Sequence, residues 1–267
     1  MIMIKRTIIG LLSAGALLSV PVLSMAEEAS GAGMLSRKSP EKIISERLKQ
    51  ARPEIQFGEP RPAPIDGLYQ VQVTGGPTLY VTPDGDKFIA GEIFSIDANG
   101  FSRFEDPYVV EERKRLLSKI DPKDTIIFKP KEKTKAVVYV FTDIDCGYCR
   151  LLHKQIHAYD DQGQKKPGYN DLGIEIRYLA YPRAGVPSAS ADKLVTAWCS
   201  KDQQAALTAL KNDQQVPPAK CDKNPVAEDF KLGGQIGVNG TPAVWFPDGR
   251  LMPGYMPPEQ MAQALGI

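Results

Sequence analysis

The sequence has little cysteine and almost no histidine or tryptophan. Its 267 residues include four cysteines, two histidines and two tryptophans. Neither cysteine nor histidine occurs before Cys146. Structural zinc sites usually bind the metal through four thiolate or imidazole groups. The first half of the chain therefore lacks the residues for such a site, and we expect it to have a structural or assembly role.

An excess of charge of one sign is also absent. The chain has 33 basic and 32 acidic residues, so its formal net charge is +1. Proteins that bind nucleic acid by electrostatic attraction usually carry a clear basic excess. The charge balance gives no reason to expect a nucleic acid or another polyanion as a partner.

Long apolar runs are absent after the first 26 residues. Lys5 and Arg6 precede an apolar stretch at 8–20, and Ser24-Met25-Ala26 fits a small-residue cleavage site. This pattern is typical of a secretory signal peptide. A membrane anchor is the alternative, but a bilayer requires roughly 20 apolar residues. We predict cleavage between Ala26 and Glu27, followed by export to an oxidising compartment where disulfides persist.

The region at 27–105 has the pattern of a small α+β domain. Ser39-Pro40 is a favourable helix start, and three strands are predicted at 69–73, 79–81 and 87–96. A charged amphipathic helix is predicted at 107–120; it either packs into one domain or forms a rod between two. We define 106–122 as a linker helix.

The second half has a different pattern. Residues 136–141 (AVVYVF) form a nearly continuous apolar run, which is typical of a strand covered on both faces. A helix is predicted from about Cys146, and another strand at 174–180. These elements indicate a strand–helix–strand unit with parallel strands. Further elements are predicted as helices at 188–212, 225–236 and 258–265, and as a strand at 243–246.

Cys146 and Cys149 form a C-x-x-C motif, which could serve haem attachment, zinc binding, closure of a loop by a disulfide, or redox chemistry. Covalent haem attachment requires histidine after the second cysteine, and Arg150 occupies that position. Zinc is disfavoured because Cys199 and Cys221 are too far apart in sequence to form a second close pair. The two histidines, His153 and His157, are interpreted as part of a polar helix face.

Redox chemistry fits the position of the motif between a strand and a helix. The thiolate is the nucleophilic form of cysteine, and a helix N-terminus lowers the thiol pKa. Cys149 follows one helical turn later, where it can close a disulfide with Cys146. The sequence therefore predicts an attacking and a resolving cysteine.

Several segments together resemble the periplasmic disulfide isomerases of the DsbC/DsbG family. They are TDIDCGYC (142–149), RYLAYPRAG (177–185), the Trp198-Cys199 pair with Cys221, and GVNGTPAVWFPDGRLMPGY (237–255). The resemblance implies an α/β thioredoxin-like catalytic domain with a helical insertion at 123–267. It also implies a small α+β cystatin-like dimerisation domain at 27–105, joined to the catalytic domain by the linker helix.

The resemblance implies roles for individual residues. Gly147 and Tyr148 would tune the redox potential of the cysteine pair. Thr241 and Pro242 would form a cis-proline loop that binds substrate. Cys199 and Cys221 would form a structural disulfide, and Gly91 would lie at a dimer interface. No metal and no prosthetic group are expected.

Partners are also implied by the resemblance. The expected assembly is a periplasmic homodimer that rearranges incorrect disulfides in exported proteins, with chaperone activity. A membrane electron donor of the DsbD type would keep the cysteine pair reduced. The alternative is a DsbG-like reductase or holdase chaperone; a dithiol oxidase fits the motif and the two-domain length less well.

Asp145 departs from the family pattern, which has threonine before the first active-site cysteine. A carboxylate beside a sulfur opposes thiolate formation. We therefore predict that Cys146 is somewhat less acidic than its counterpart in relatives, unless Asp145 points away from it.

Overall fold

The computed structural model describes residues 38–74, 76–97 and 100–267. The predicted signal peptide lies outside the described residues. No helix in the part of the chain that the structure describes has the length and apolar character needed to cross a membrane.

The N-terminal region packs one helix on a small antiparallel sheet. Helix α1 (Pro40–Ala51) begins after Ser39, as predicted, and ends before Pro53. Strands β1 (Arg61–Pro62), β2 (Tyr69–Gln72), β3 (Thr78–Val81) and β4 (Phe88–Gly91) form the sheet in the order β1-β2-β3-β4. Ile44 of α1 packs on Val71, Leu79 and Val81, which are all buried. Strand β4 is at one edge of this sheet.

The prediction of one continuous strand at 87–96 is wrong. It divides after Gly91 into β4 and a separate strand β5 (Phe94–Asp97), which pairs with β6 (Gly100–Arg103) in a two-stranded sheet. Glycine weakens a strand interior and often marks a bend. The sequence pattern did not indicate β6, which pairs only with β5 in the described residues.

Helix α2 (Pro107–Leu117) lies within the predicted linker helix. Asp106 caps it by accepting a hydrogen bond from the N–H of Tyr108. Leu116 and Leu117 pack against the apolar cluster on one face of the C-terminal sheet. Arg113 is buried and donates from Nε to the carbonyl of Ile236 at 2.9 Å. The helix therefore packs on the C-terminal domain along its last turns.

The C-terminal domain is built on a five-stranded sheet in the order β13-β12-β8-β11-β7. The strands are β7 (Ile126–Phe128), β8 (Ala136–Thr142), β11 (Ile174–Ala180), β12 (Ala243–Trp245) and β13 (Leu251–Pro253). The parallel pairing of β8 with β11 confirms the predicted strand–helix–strand unit. The hairpin of β9 (Tyr159–Asp161) and β10 (Gln164–Lys166) and the strand β13 were not predicted.

Both faces of this sheet are covered by helices. They are α3 (Gly147–Lys154), α4 (Ala189–Cys199), α5 (Gln203–Lys211), α6 (Val226–Ile236) and α7 (Pro258–Leu265). Val138 and Val140 of β8 belong to one apolar cluster, whereas Tyr139 and Phe141 belong to the cluster on the opposite face. The uninterrupted apolar run of β8 therefore reflects burial on both sides, as expected. Helices α4 and α5 form the insertion between β11 and α6.

Candidate active site

The two cysteines of the motif lie where β8 passes into α3. Cys146 is the N-cap residue of α3, and Cys149 lies in its first turn. Both thiols are free, and both side chains are almost completely buried. Gly147 and Tyr148, between them, are exposed. A partner can therefore approach the pair from the side of the helix start.

The sulfur of Cys146 lies within a short array of hydrogen-bonding groups. The backbone N–H of Cys149 donates to Cys146 Sγ at 3.4 Å. The carbonyl of Thr241 lies 3.1 Å from the same sulfur and accepts its proton when Cys146 is a thiol. The Thr241–Pro242 peptide bond is cis. The chain thus brings Thr241 and Pro242, about a hundred residues away in sequence, against the cysteine pair.

The two thiols have opposite acidities. The Cys149 thiol and the Cys149 N–H donate to the Cys146 sulfur, and together with the charge of Arg183 they outweigh burial and lower the pKa of Cys146 to about 5. Burial raises the pKa of Cys149 well above its usual range. At neutral pH, Cys146 is a thiolate and Cys149 is a thiol. This is the division that an attacking and a resolving cysteine require.

Asp143 organises the loop that precedes Cys146. Its side chain is buried and accepts hydrogen bonds from the N–H of Asp145, the hydroxyl of Ser190, and the N–H and Nε of Arg183. Burial opposes the charge, but these hydrogen bonds together lower the pKa of Asp143. Arg183 also donates to the carbonyl of Asp145 at 3.0 Å. The carboxylate therefore fixes both the loop and the arginine beside Cys146.

Asp145 is paired with cations on the surface. Its carboxylate lies 2.7 Å from Lys193 Nζ and 3.7 Å from the guanidinium of Arg150. These cations offset much of the negative charge that Asp145 would otherwise present to Cys146. The predicted effect of Asp145 on the acidity of Cys146 stays a prediction, and the two ion pairs limit its size.

We expect Asp145→Thr to lower the pKa of Cys146 by about half a unit or less, because the substitution removes a screened negative charge and leaves Lys193 without its carboxylate partner. The pKa is measured from thiolate absorbance at 240 nm as the pH is raised. Lys193→Met, which removes the cation and keeps the carboxylate, should move the midpoint in the opposite direction. An unchanged midpoint in both variants would contradict the prediction.

An aromatic pair flanks the cysteines. The rings of Tyr148 and Tyr255 stack with centroids 6.2 Å apart, and Tyr148 is exposed. Tyr255 donates from its hydroxyl to Gln155 Oε1 at 2.5 Å, which anchors the pair to the end of α3. The backbone N–H of Gly254 donates to the carbonyl of Pro242. Because Gly254 precedes Tyr255, this hydrogen bond connects the cis-proline loop to the aromatic pair near Cys146.

The polar helix face predicted for the histidines is wrong for His153. This residue is buried, and its ring nitrogens lie 3.1 Å from Tyr178 Oη and 3.0 Å from Thr208 Oγ1. Burial first, and then the charges of Lys211 and His157, lower its pKa to about 3. His157 is exposed and lies beyond the end of α3. The helix is shorter than the pattern suggested, so the two rings do not share a face of it.

Other predicted site residues lie away from the cysteine pair. Cys199 ends α4 and forms a disulfide with Cys221, with 5.5 Å between the two Cα atoms. Gly91 is the last residue of the edge strand β4 and pairs with Thr78. Neither the disulfide nor Gly91 is among the groups that contact Cys146 or Cys149.

Lys211 and Asp143 are the site residues whose roles the sequence did not reveal. Lys211 ends α5, and its side chain is 2% exposed. Its Nζ donates to Thr142 Oγ1 at 2.7 Å, at the end of β8. From sequence alone, a lysine at the end of a helix is normally interpreted as solvent-exposed. The role of Lys211 becomes visible only from the position of α5 beneath the loop.

The fold and the paired cysteines define a thioredoxin-like thiol:disulfide exchange protein. A thioredoxin-like domain matches residues 122–266, and the N-terminal domain of disulfide bond isomerase proteins matches residues 25–102. The chain is 37% identical over 217 residues to the thiol:disulfide interchange protein DsbC of Escherichia coli K12, covering 80% of this chain and 84% of that protein. It is 36% identical over 211 residues to DsbC of Dickeya dadantii, covering 79% and 81%.

The chain therefore belongs to the DsbC family of disulfide isomerases, as its sequence motifs indicated. A crystal structure of a disulfide interchange protein from Neisseria gonorrhoeae is 29% identical and covers 55% of this chain and 97% of that one, with a TM-score of 0.45. The family assignment rests on the sequence relatives and the matched domains. Proteins of this family are thiol:disulfide isomerases and oxidoreductases, and this chain is such an enzyme.

Proposed function

We propose that Cys146 attacks incorrect disulfides in exported proteins and that Cys149 resolves the mixed disulfide that forms. The observation that carries this assignment is the position of Cys146 at the N-cap of α3, where its sulfur accepts a hydrogen bond from the N–H of Cys149 at 3.4 Å. The Cys146 thiolate displaces one substrate sulfur. A second substrate thiol then releases the enzyme and completes isomerisation. If no substrate thiol releases the enzyme, Cys149 attacks the sulfur of Cys146 and the substrate leaves in the reduced form.

The cis-proline loop is proposed to bind the substrate chain. The carbonyl of Thr241 lies beside Cys146, and Pro242 follows it. Backbone groups in this position can pair with an extended substrate segment, as in strand addition. Gly147 and Tyr148, which are exposed between the cysteines, are proposed to tune the redox potential of the pair.

A homodimer is proposed to form along the edge of the N-terminal sheet. Within the described residues, β4 has a strand neighbour on one side only, and Phe88 and Ile89 on it are exposed. An exposed apolar edge strand readily pairs with another chain. Gly91 would lie at this interface. Two such subunits could hold unfolded chains between them, which supports chaperone activity. Sedimentation as a monomer at micromolar concentration would contradict this assembly.

The compartment, the electron donor and the domain boundaries complete the proposal. The protein would act in the periplasm after removal of residues 1–26, with a dimerisation domain at 27–105, a linker helix at 106–122 and a catalytic domain at 123–267. The matched domains at 25–102 and 122–266 support this division. A membrane electron donor of the DsbD type would keep the pair reduced, because the first step requires a free thiolate.

The redox state of the protein in its compartment tests this function. We expect protein that is acid-quenched on isolation and alkylated under denaturing conditions to take up two equivalents of a maleimide. Mass mapping should place both on Cys146 and Cys149, and Cys199 and Cys221 should stay unmodified. The control is the same sample reduced before alkylation, which should take up four. A pair that is isolated as a disulfide would indicate an oxidase instead.

A further inference from the structure

A buried amine lies beneath the cysteine pair and has no carboxylate partner. Lys211 reaches from the end of α5 to the end of β8, and its side chain is 2% exposed. Among the described residues, no salt bridge includes it. A buried ammonium without a counter-ion is costly, so such lysines readily give up their proton. Lys211 is therefore a group whose protonation can change in the working range of the enzyme.

The contacts of Lys211 place it beneath the loop that leads to Cys149. Lys211 Nζ donates to Thr142 Oγ1 at 2.7 Å and to the carbonyl of Asp143 at 3.5 Å. Cys149 lies in the first turn of α3, which follows this loop, and the hydrogen bond of 3.0 Å between His153 and Thr208 Oγ1 joins α3 to α5. The amine and the resolving thiol are thus both buried near the same loop, and solvent has almost no access to either.

We propose that Lys211 accepts the proton of the Cys149 thiol when Cys149 resolves a mixed disulfide. The inference rests on the proposed roles of Cys146 and Cys149. A buried thiol cannot release its proton to water easily, and a thiol is a poor nucleophile until it does. The neutral form of the Lys211 amine, buried near the same loop, supplies the required base.

The step balances in protons and electrons. The Cys149 proton moves to Lys211, which becomes an ammonium, and the Cys149 thiolate attacks the Cys146 sulfur. The Cys146–Cys149 bond forms as the bond between Cys146 and the substrate sulfur breaks. The cysteine pair is oxidised by two electrons, and the substrate is reduced. The leaving thiolate takes a proton from water, and Lys211 later returns its proton to solvent.

The other groups that face Lys211 do not compete with this role. They are Cys149, Arg150 and His153 of α3, Cys146 and Asp143 of the preceding loop, and Tyr178 of β11. His153 stays neutral because its pKa is about 3, and burial raises the pKa of Tyr178 far above its usual range. Burial lowers the pKa of Lys211 to about 8 against the charges of the cysteines and Asp143. Near neutral pH, the amine and the thiols are the groups that exchange protons.

Stopped-flow reaction of the reduced full-length protein with 5,5′-dithiobis(2-nitrobenzoate) separates the two steps. Attack by Cys146 releases one thionitrobenzoate, and resolution by Cys149 releases a second. We expect Lys211→Met to slow the second phase at pH 7 by about tenfold or more and to move its pH midpoint above that of the wild type. The first phase should change less than about twofold. Lys154→Met, an exposed lysine of α3, is the matched control and should leave both phases unchanged.

The outcomes are distinct. A second phase within twofold of the wild type, with the same pH midpoint, would overturn the role of Lys211. Cys149→Ser should release only one equivalent; release of two would overturn the assignment of Cys149 instead. If Lys211→Met fails to fold, NMR of wild-type protein with labelled lysine Cε decides the matter. The lysine that titrates lowest should have a higher midpoint in the dithiol form than in the disulfide form, and equal midpoints would refute the proposal.

Discussion

Replacing Cys146 by serine reduces the reactivation of scrambled ribonuclease to the rate without enzyme, a loss of at least about a hundredfold. A serine hydroxyl stays protonated at neutral pH and forms no disulfide, so neither the attack nor the mixed disulfide is available. The fold should persist. Serine is a favourable N-cap residue, and it can accept the Cys149 N–H in place of the sulfur. The loss therefore reports chemistry and not unfolding.

Cys149→Ser is the matched control for this experiment. It retains the Cys146 nucleophile and should trap covalent complexes with substrates, which appear on non-reducing gels and disappear with reductant. Suppression of aggregation should survive in Cys146→Ser if the dimer also holds unfolded chains. Full reactivation by Cys146→Ser would refute the role of Cys146, and a loss of both activities would indicate a structural defect instead.

The strand–helix–strand unit around the cysteines could be predicted because its signals are local. An apolar run, a C-x-x-C motif and a second apolar run follow one another at 136–180, and the structure gives the parallel pair β8 and β11 with α3 between them. Periodicity and capping act over a few residues, so one sequence reveals them. The same reasoning located α1, α2 and α7.

The roles of Asp143 and Lys211 could not be predicted because they depend on long-range packing. Asp143 is fixed by Arg183 and Ser190, 40 and 47 residues further along the chain. Lys211 reaches Thr142 across 69 residues. The division of the strand at 87–96 has a local cause instead, because β4 ends at Gly91 and β5 pairs with the adjacent strand β6. The local sequence pattern predicts a helix or a strand, whereas the tertiary fold determines which distant side chains are in contact.

Asp143→Asn should be the most damaging polar substitution around the active-site loop. We expect the free energy of unfolding at pH 7 to fall by about 3 kcal/mol. The buried carboxylate accepts from the N–H and guanidinium of Arg183 on one oxygen, and from Asp145 and Ser190 on the other. An amide can accept on one side only, and its NH₂ would face the donors of Arg183. Asp145→Asn is the matched control, because its exposed ion pairs contribute about 1 kcal/mol or less.

The pH dependence separates this role from simple packing. Hydrogen bonds lower the pKa of Asp143 in the folded protein despite its burial. The stabilisation is therefore complete above the unfolded pKa of about 3.9 and is lost as the pH falls through the folded value. Urea unfolding should show a large difference between wild type and Asp143→Asn at pH 7 that shrinks as the pH falls below the unfolded pKa. A difference that stays constant with pH would mean that the carboxylate charge does not stabilise the loop, and that the cost of the substitution comes from the misplaced NH₂ group.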